Sequence, residues 1–318
     1  MADIQKKEAV CCKKTSIGGQ ALIEGIMMRG PVRSAMAVRN PAGEIVMEEW
    51  ATRGKELPKI LKLPIIRGVF GFIDSMTTGY RCLMRSAEIA MPEDDGGKPL
   101  SEEEKKKESK LLTIAAGIGG VLGVVLCVVL FLYLPSQLFR WLAGAVPALD
   151  TDIMRAVFEG VMRIVLFVGY VGAMCLVKDV RRTFQYHGAE HKTIFCYEAG
   201  LPLTVENVRT QRRFHPRCGT SFLILMLIVG IIISMFIHVD NPFLRTGIKL
   251  LLLPLTMGIG YELIKFCGRH DNVLTRIIAA PGMWLQRVTV HEPDDSMIEC
   301  AIAAMTAVIP ADGSSDNF

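Results

Sequence analysis

"LLTIAAGIGGVLGVVLCVVLFLYL" (residues 111–134) decides the fold, because it carries no charged residue over a length of helix that crosses about 30 Å of hydrocarbon. The run "SFLILMLIVGIIISMFIH" (221–238) is of the same kind. Two further stretches are apolar but interrupted. "AVFEGVMRIVLFVGYVGAMCLV" (156–177) contains Glu159 and Arg163, and "TGIKLLLLPLTMGIGYELIKFC" (246–267) contains Lys249, Glu262 and Lys265. Glu159 and Arg163 stand one helical turn apart and can pair inside a bundle. Lys249 and Lys265 lie near the span ends, where long side chains reach the interface. A mean hydropathy of +0.35, with 51% hydrophobic residues, agrees with long buried runs and disfavours an ordinary soluble globule. The expected fold is therefore an α-helical polytopic membrane protein with about four transmembrane helices.

The basic residues orient it. The segment 178–220 is rich in Lys and Arg, whereas 135–155 and 239–245 carry few, so the long segment and both termini are expected on the cytoplasmic side. The opening "MADIQKKEAVCCKKTS" offers no apolar core for a cleavable signal, and the chain is expected to be held by its own spans. The nine cysteines are scattered, which fits free thiols or a metal ligand better than a disulfide framework. A net charge of +4, concentrated near span ends, points to topology and anionic-lipid contact and away from nucleic acid.

Outside the spans the chain divides by composition. Residues 1–14 read as a disordered tail, and 15–62 as a small cytoplasmic α+β unit. There "SAMAVRNPAGEIVMEEW" places a turn at Asn40–Gly43 between two short runs and predicts a β-hairpin. Just before it, "IGGQALIEGIMMRGP" is apolar and punctuated by glycines. Residues 63–91 are amphipathic and too often charged for a span, so an interfacial or re-entrant helix is expected. Residues 92–110 form a charged linker, 268–309 a cytoplasmic C-terminal segment with Trp284 as a membrane anchor and a helix begun by Asp295 or Ser296, and 310–318 a polar tail.

The chemistry lies in 178–220. In "YHGAEHKTIFCYEAG" (186–200), His187, Glu190 and His191 share one helical face, and "FHPRCGTSF" (214–222) adds His215 and Cys218 directly before the third span. Topology returns both strings to one membrane face. His, Cys and carboxylate around one point suit a divalent metal, Zn²⁺ above all, with His187, His191, His215 and Cys218 as candidate ligands. Four protein ligands make a closed structural site. Three leave an open position, where Glu190 serves as general base for hydrolysis. Glu262, His270 and Asp271, at the inner end of the fourth span, are further candidates. The bland alternative has the histidines facing water or pairing with Glu190 and Glu198, and His215 and Cys218 packing at a helix mouth. Glu24 and Arg29, with Gln20, suggest either a site or a structural ion pair. The acidic group His291, Glu292, Asp294 and Asp295 suggests either a cation site or a charged helix start.

The strings "GGQALIEGIMMRGP", "LPIIRG", "YHGAEHKTIFCYE", "FHPRCGTSF" and "PGMWLQRVTVHEPDD" together resemble the DUF1385 (YqhQ-type) family of bacterial membrane proteins across roughly residues 15–305. The resemblance implies a bacterial inner-membrane location and a metal-dependent enzyme without an assigned reaction. It marks His187, Glu190, His191, His215 and Cys218 as motif positions. The function expected is a metal-dependent hydrolase at the cytoplasmic membrane face. The alternative is a non-enzymatic scaffold or accessory factor that binds other membrane proteins, such as the insertion machinery. A transporter, resting on Glu159, Arg163 and Glu262, ranks last.

Overall fold

The computed structural model describes residues 14–52, 58, 61, 63–91, 118–270, 272–310 and 316. Nearly all of the expected N-terminal tail with Cys11 and Cys12, the linker 92–110, the opening of the first expected span, Asp271 and most of the C-terminal tail lie outside the described residues. In chain order the elements are β1 (Gly18–Leu22), β2 (Gly25–Arg29), β3 (Arg33–Arg39), β4 (Ile45–Ala51), α1 (Ile66–Ala90), α2 (Ile118–Ala145), α3 (Asp152–Met174), α4 (Lys178–Glu198), α5 (Val205–Arg209), α6 (Gly219–Ser234), α7 (Pro242–Leu251), α8 (Leu253–Arg269), α9 (Val273–Thr289) and α10 (Asp295–Val308). The fold is mostly helical with one small antiparallel sheet, and its residues fall into two compact units. The first draws on Met1–Pro92, Val171–Leu225 and Gly260–Phe318, the second on Glu93–Tyr170 and Met226–Ile259.

The first unit is built on the sheet, an antiparallel meander in the order β1-β2-β3-β4. Residues Gly25–Met28 and Ser34–Val38 are buried without a break, which means that both faces of the two middle strands are covered. The period of two assigns the faces. Ile26, Met28, Ala35 and Ala37 pack with Tyr186 and Ala189 of α4 and with Met297, Ala301 and Ala304 of α10. Met27, Met36 and Val38 point the other way and pack with Cys82 of α1. Each buried Ile or Met contributes roughly 1.5–3 kcal/mol of transfer free energy.

The hairpin read from Asn40–Gly43 is formed by β3 and β4. The Asn40 carboxamide oxygen accepts from the Glu44 amide at 2.9 Å, and Gly43 takes φ +87°, a left-handed conformation suited to glycine. The glycine-rich stretch ahead of it, expected only to be tightly folded, supplies β1 and β2. Glu24 and Arg29 do not pair with each other. They sit at opposite ends of β2, about 16 Å apart by strand rise. Glu24 instead receives Arg182 at 2.6 Å, and Arg29 meets Asp74 at 2.6 Å.

Of the described helices, α2 and α3 are long and apolar enough to cross a membrane, and α7 with α8, bent by 47°, makes a third if the pair is one span. The α6 helix, at the place of the expected span 221–238, has only 16 residues, or about 24 Å of rise. Among the described residues the expected four spans are thus corrected to two, or three with the bent pair, by length and composition. Val121, Leu122, Val124, Val125 and Leu126 of α2 are each at least 54% exposed, a continuous apolar surface that water would penalise.

The α2 helix also runs on past 134, the end of the expected span, and through Pro135. Proline removes an N–H and crowds the carbonyl four residues earlier, that of Phe131. The helix absorbs this with a widened π turn over Val129–Tyr133, and Arg163 Nε donates to the Phe131 carbonyl at 2.8 Å. Arg163 in turn pairs with Glu159 at 2.9 Å, as its spacing suggested. Glu159 is fully buried and also accepts from Ser136 Oγ at 2.6 Å and from Lys249, with Arg245 Nε 3.7 Å away. Lys249 therefore does not reach out to an interface. It is 8% exposed and turns inward to the carboxylate.

Candidate metal centre

The site is carried by α4 and the loop that opens α6. The "HGAEH" string lies within α4, so His187, Glu190 and His191 occupy one side of one turn, and the two imidazole centroids are 4.4 Å apart. Gly188 lets this turn press against the chain after α9, since a Cβ there would come 2.0 Å from the His291 carbonyl oxygen. Cys218 precedes the first turn of α6, where its sulfur accepts from the Thr220 amide at 3.4 Å. The start of a helix favours a thiolate. Gln286 of α9, fully buried, holds the "HPRC" loop by accepting from the His215 amide at 2.8 Å and donating to the His215 carbonyl at 2.7 Å.

These elements bring three ligand atoms, one each from His187, His191 and Cys218, within 4.8 Å of one another. The imidazoles are oriented from behind. His187 Nδ1 donates to the Thr289 carbonyl at 3.0 Å, and His191 Nδ1 donates to the Arg213 carbonyl at 2.6 Å. With both Nδ1 atoms committed to carbonyls, Nε2 is left as the ligand atom on each ring, the usual arrangement behind a metal-binding histidine. His187 Nε2 lies 3.1 Å from Cys218 Sγ. The donor set therefore fits a soft or borderline divalent ion such as zinc.

The electrostatics agree with a thiolate facing imidazoles. Burial alone would raise the Cys218 thiol, but His187 and His191 outweigh it and hold the thiol well below its usual range. Burial likewise opposes a charged His187, yet the neighbouring Cys218 and Glu190 raise that imidazole to about 9. Glu190 is pushed up by burial against the pull of the two histidines. It is 5% exposed, and its Oε2 has no hydrogen-bond partner among the described residues. The bare backbone of Gly19 lies over the carboxyl group, where a Cβ would come 3.1 Å from Cδ, and the same glycine lines a cleft of about 450 Å³ with Gln20 and Arg29.

His215, expected as a further ligand, stands beside this group and outside it. Its ring centroid is 5.5 Å from that of His191, its Nδ1 accepts from the Arg217 amide at 3.3 Å, and its Nε2 lies 4.0 Å from Glu198. Burial lowers His215 to about 4, so it is neutral at physiological pH. The other candidates are placed elsewhere. Glu262 is paired with Arg67, and His270 Nδ1 bonds the Phe266 carbonyl of its own helix. Asp294 caps α10, one residue before the expected start, while Glu292 meets Lys192 and Arg213 and Asp295 meets Arg209. That acidic group is a helix start bound to cations. Gln286 and the carbonyls of Thr289 and Arg213 went unread in the sequence. The only signal was that "PGMWLQRVTV" is one of the strings that carry the family resemblance.

The fold and site define a mostly helical protein with membrane-length apolar helices and a His/His/Cys group in which His191 and Cys218 are buried and His187 half-buried. The chain belongs to the family described as protein of unknown function DUF1385, whose model matches residues 63–311. It is also 31% identical over 307 residues to the uncharacterized protein YqhQ of Bacillus subtilis (strain 168), covering 94% of each chain. No solved structure matches it.

Proposed function

We propose that the protein resides in a bacterial cytoplasmic membrane with both termini inside, and binds one divalent metal, zinc, through His187, His191 and Cys218, to carry out a hydrolysis. The observation that carries this reading is the convergence of three ligand atoms whose two imidazoles are each fixed by a carbonyl behind them. Such an ion would act as a Lewis acid. The chain's own residues do the rest. Glu190, buried and with an unpartnered oxygen, takes up and returns the proton of the attacking water. Gly19 has no side chain to collide with Glu190, and the same residue lines the cleft. His215, Glu198, Arg217 and Gln286 hold the loop that presents Cys218.

Elemental analysis of protein purified without chelator tests this directly, with about one zinc per chain expected and substoichiometric metal overturning it. Uptake should also depend on pH. In the metal-free protein His187 holds a proton up to about 9, and that proton must leave for Nε2 to bind. Zinc affinity should therefore rise with pH and level off above about 9, as a competition titration at several pH values would show. A flat profile would contradict the assignment of His187.

A second reading has one observation in its favour. Along α1, Ile73, Met76, Tyr80 and Met84 form a stripe with each residue at least 47% exposed, a surface that suits a lipid interface or the helix of another membrane protein. An accessory factor that docks there has no use for a proton carrier at Glu190. Glu190→Gln should keep the metal and lose at least about a hundredfold of activity if the protein is a hydrolase. It should leave the cellular phenotype intact if the protein is only a docking factor.

A further inference from the structure

A larger cleft of about 1010 Å³ opens in the first unit beside α9, lined by Lys14, Arg212, Arg217, Arg276 and Arg287 and by a single carboxylate, Glu198. That carboxylate is already engaged, by Arg217 and by the Thr15 amide at 2.9 Å. The Arg212 guanidinium lies 4.5 Å over the Phe195 ring, and neither Arg212 nor Arg287 has an ion pair among the described residues. Cations gathered around a concave surface focus a positive potential that attracts an anionic ligand. Arginine forks match phosphate oxygens in particular.

The helix that lines the cleft also indicates where the phosphate comes from. Val273, Leu274, Ile277 and Trp284 of α9 are exposed by 74%, 57%, 64% and 53%. An exposed apolar face with tryptophan on a helix that also carries Arg276 and Arg287 is the pattern of a helix lying at headgroup depth. We infer that this cleft binds the phosphate headgroup of an anionic phospholipid, held by Arg212 and Arg287, with the acyl chains along the apolar face of α9. The inference does not depend on the metal reading.

The test uses the full chain in a neutral detergent, titrated with short-chain phosphatidylglycerol and, separately, with short-chain phosphatidylcholine, binding being followed by calorimetry. Saturable binding of the anionic lipid at least about tenfold tighter than that of the zwitterionic one is expected. The double variant Arg212→Gln/Arg287→Gln should weaken it by about fivefold for each cation removed. Arg33→Gln, on the exposed end of β3, should leave it unchanged, and the thermal midpoint of each variant shows that the fold persists. Equal affinity for the two lipids in the unaltered protein would overturn the proposal, as would an unaffected double variant. Inorganic phosphate binding as tightly as the lipid would also overturn it, by showing a small-anion site instead.

Discussion

Cys218→Ser is expected to lower zinc affinity by roughly a few hundredfold, because it removes one of three ligands from a site whose binding free energy is on the order of 10 kcal/mol. The hydroxyl that replaces the thiol stays protonated at neutral pH and is a poor zinc ligand. The same sulfur lies 3.1 Å from His187 Nε2, and that geometry also describes a thiolate nucleophile with its imidazole base. Metal content separates the two. If Cys218 is a ligand, the unaltered protein carries zinc, resists alkylation until chelator is added, and loses the metal in both Cys218→Ser and His191→Ala. If it is a nucleophile, the protein is metal-free and alkylates at once. His191→Ala is the sharper probe, since a Cys–His pair has no need of a second imidazole held by the Arg213 carbonyl at 2.6 Å. Full zinc occupancy in His191→Ala would sink the metal assignment.

His215→Ala should behave differently. That ring faces Arg217 and Glu198, so its loss should disturb the loop before α6 and reduce zinc affinity only by about ten to a hundredfold, as for a residue that supports a ligand from behind.

Much of the fold was legible in the sequence because it depends on long, simple patterns. The apolar runs gave α2 and α3, and the His187, Glu190 and His191 spacing placed those residues on one helical turn. What was missed depended on partners far away in the chain. Glycines at 18, 19 and 25 lower strand propensity, so β1 and β2 were invisible until the register with β3 and the cover from α4 and α10 supplied the missing stabilisation. A proline at 135 reads as a stop, and the helix continues through a π turn over Val129–Tyr133 with the Arg163 side chain on the Phe131 carbonyl. At the site, pattern alone put His215 and Cys218 on equal terms. The tertiary clamp by Gln286 and the pull of Glu198 and Arg217 turn one toward the histidines of α4 and the other away.

The buried cluster in the second unit leads to the other large effect. Glu159 is the carboxylate shared by Arg163, Lys249 and Arg245, all three of them less than a tenth exposed, and Arg245 also has Asp152 at 3.9 Å. Neutralising it leaves Arg163 and Lys249 without a carboxylate and Arg245 with Asp152 alone, and loss of one partner from a buried charge group typically costs about 3–5 kcal/mol. It also frees Arg163, whose bond to the Phe131 carbonyl supports the π turn in α2. Glu159→Gln should therefore fold poorly, seen as a lowered thermal midpoint and faster proteolysis in detergent. Adding Lys249→Met should recover part of the loss, because it removes one of the unopposed charges, and the two changes should be strongly non-additive. Lys249→Met alone leaves the carboxylate with two arginines and Ser136, so it should cost less than Glu159→Gln. If Glu159→Gln melts like the unaltered protein, the cluster is not what holds α2, α3 and α7 together.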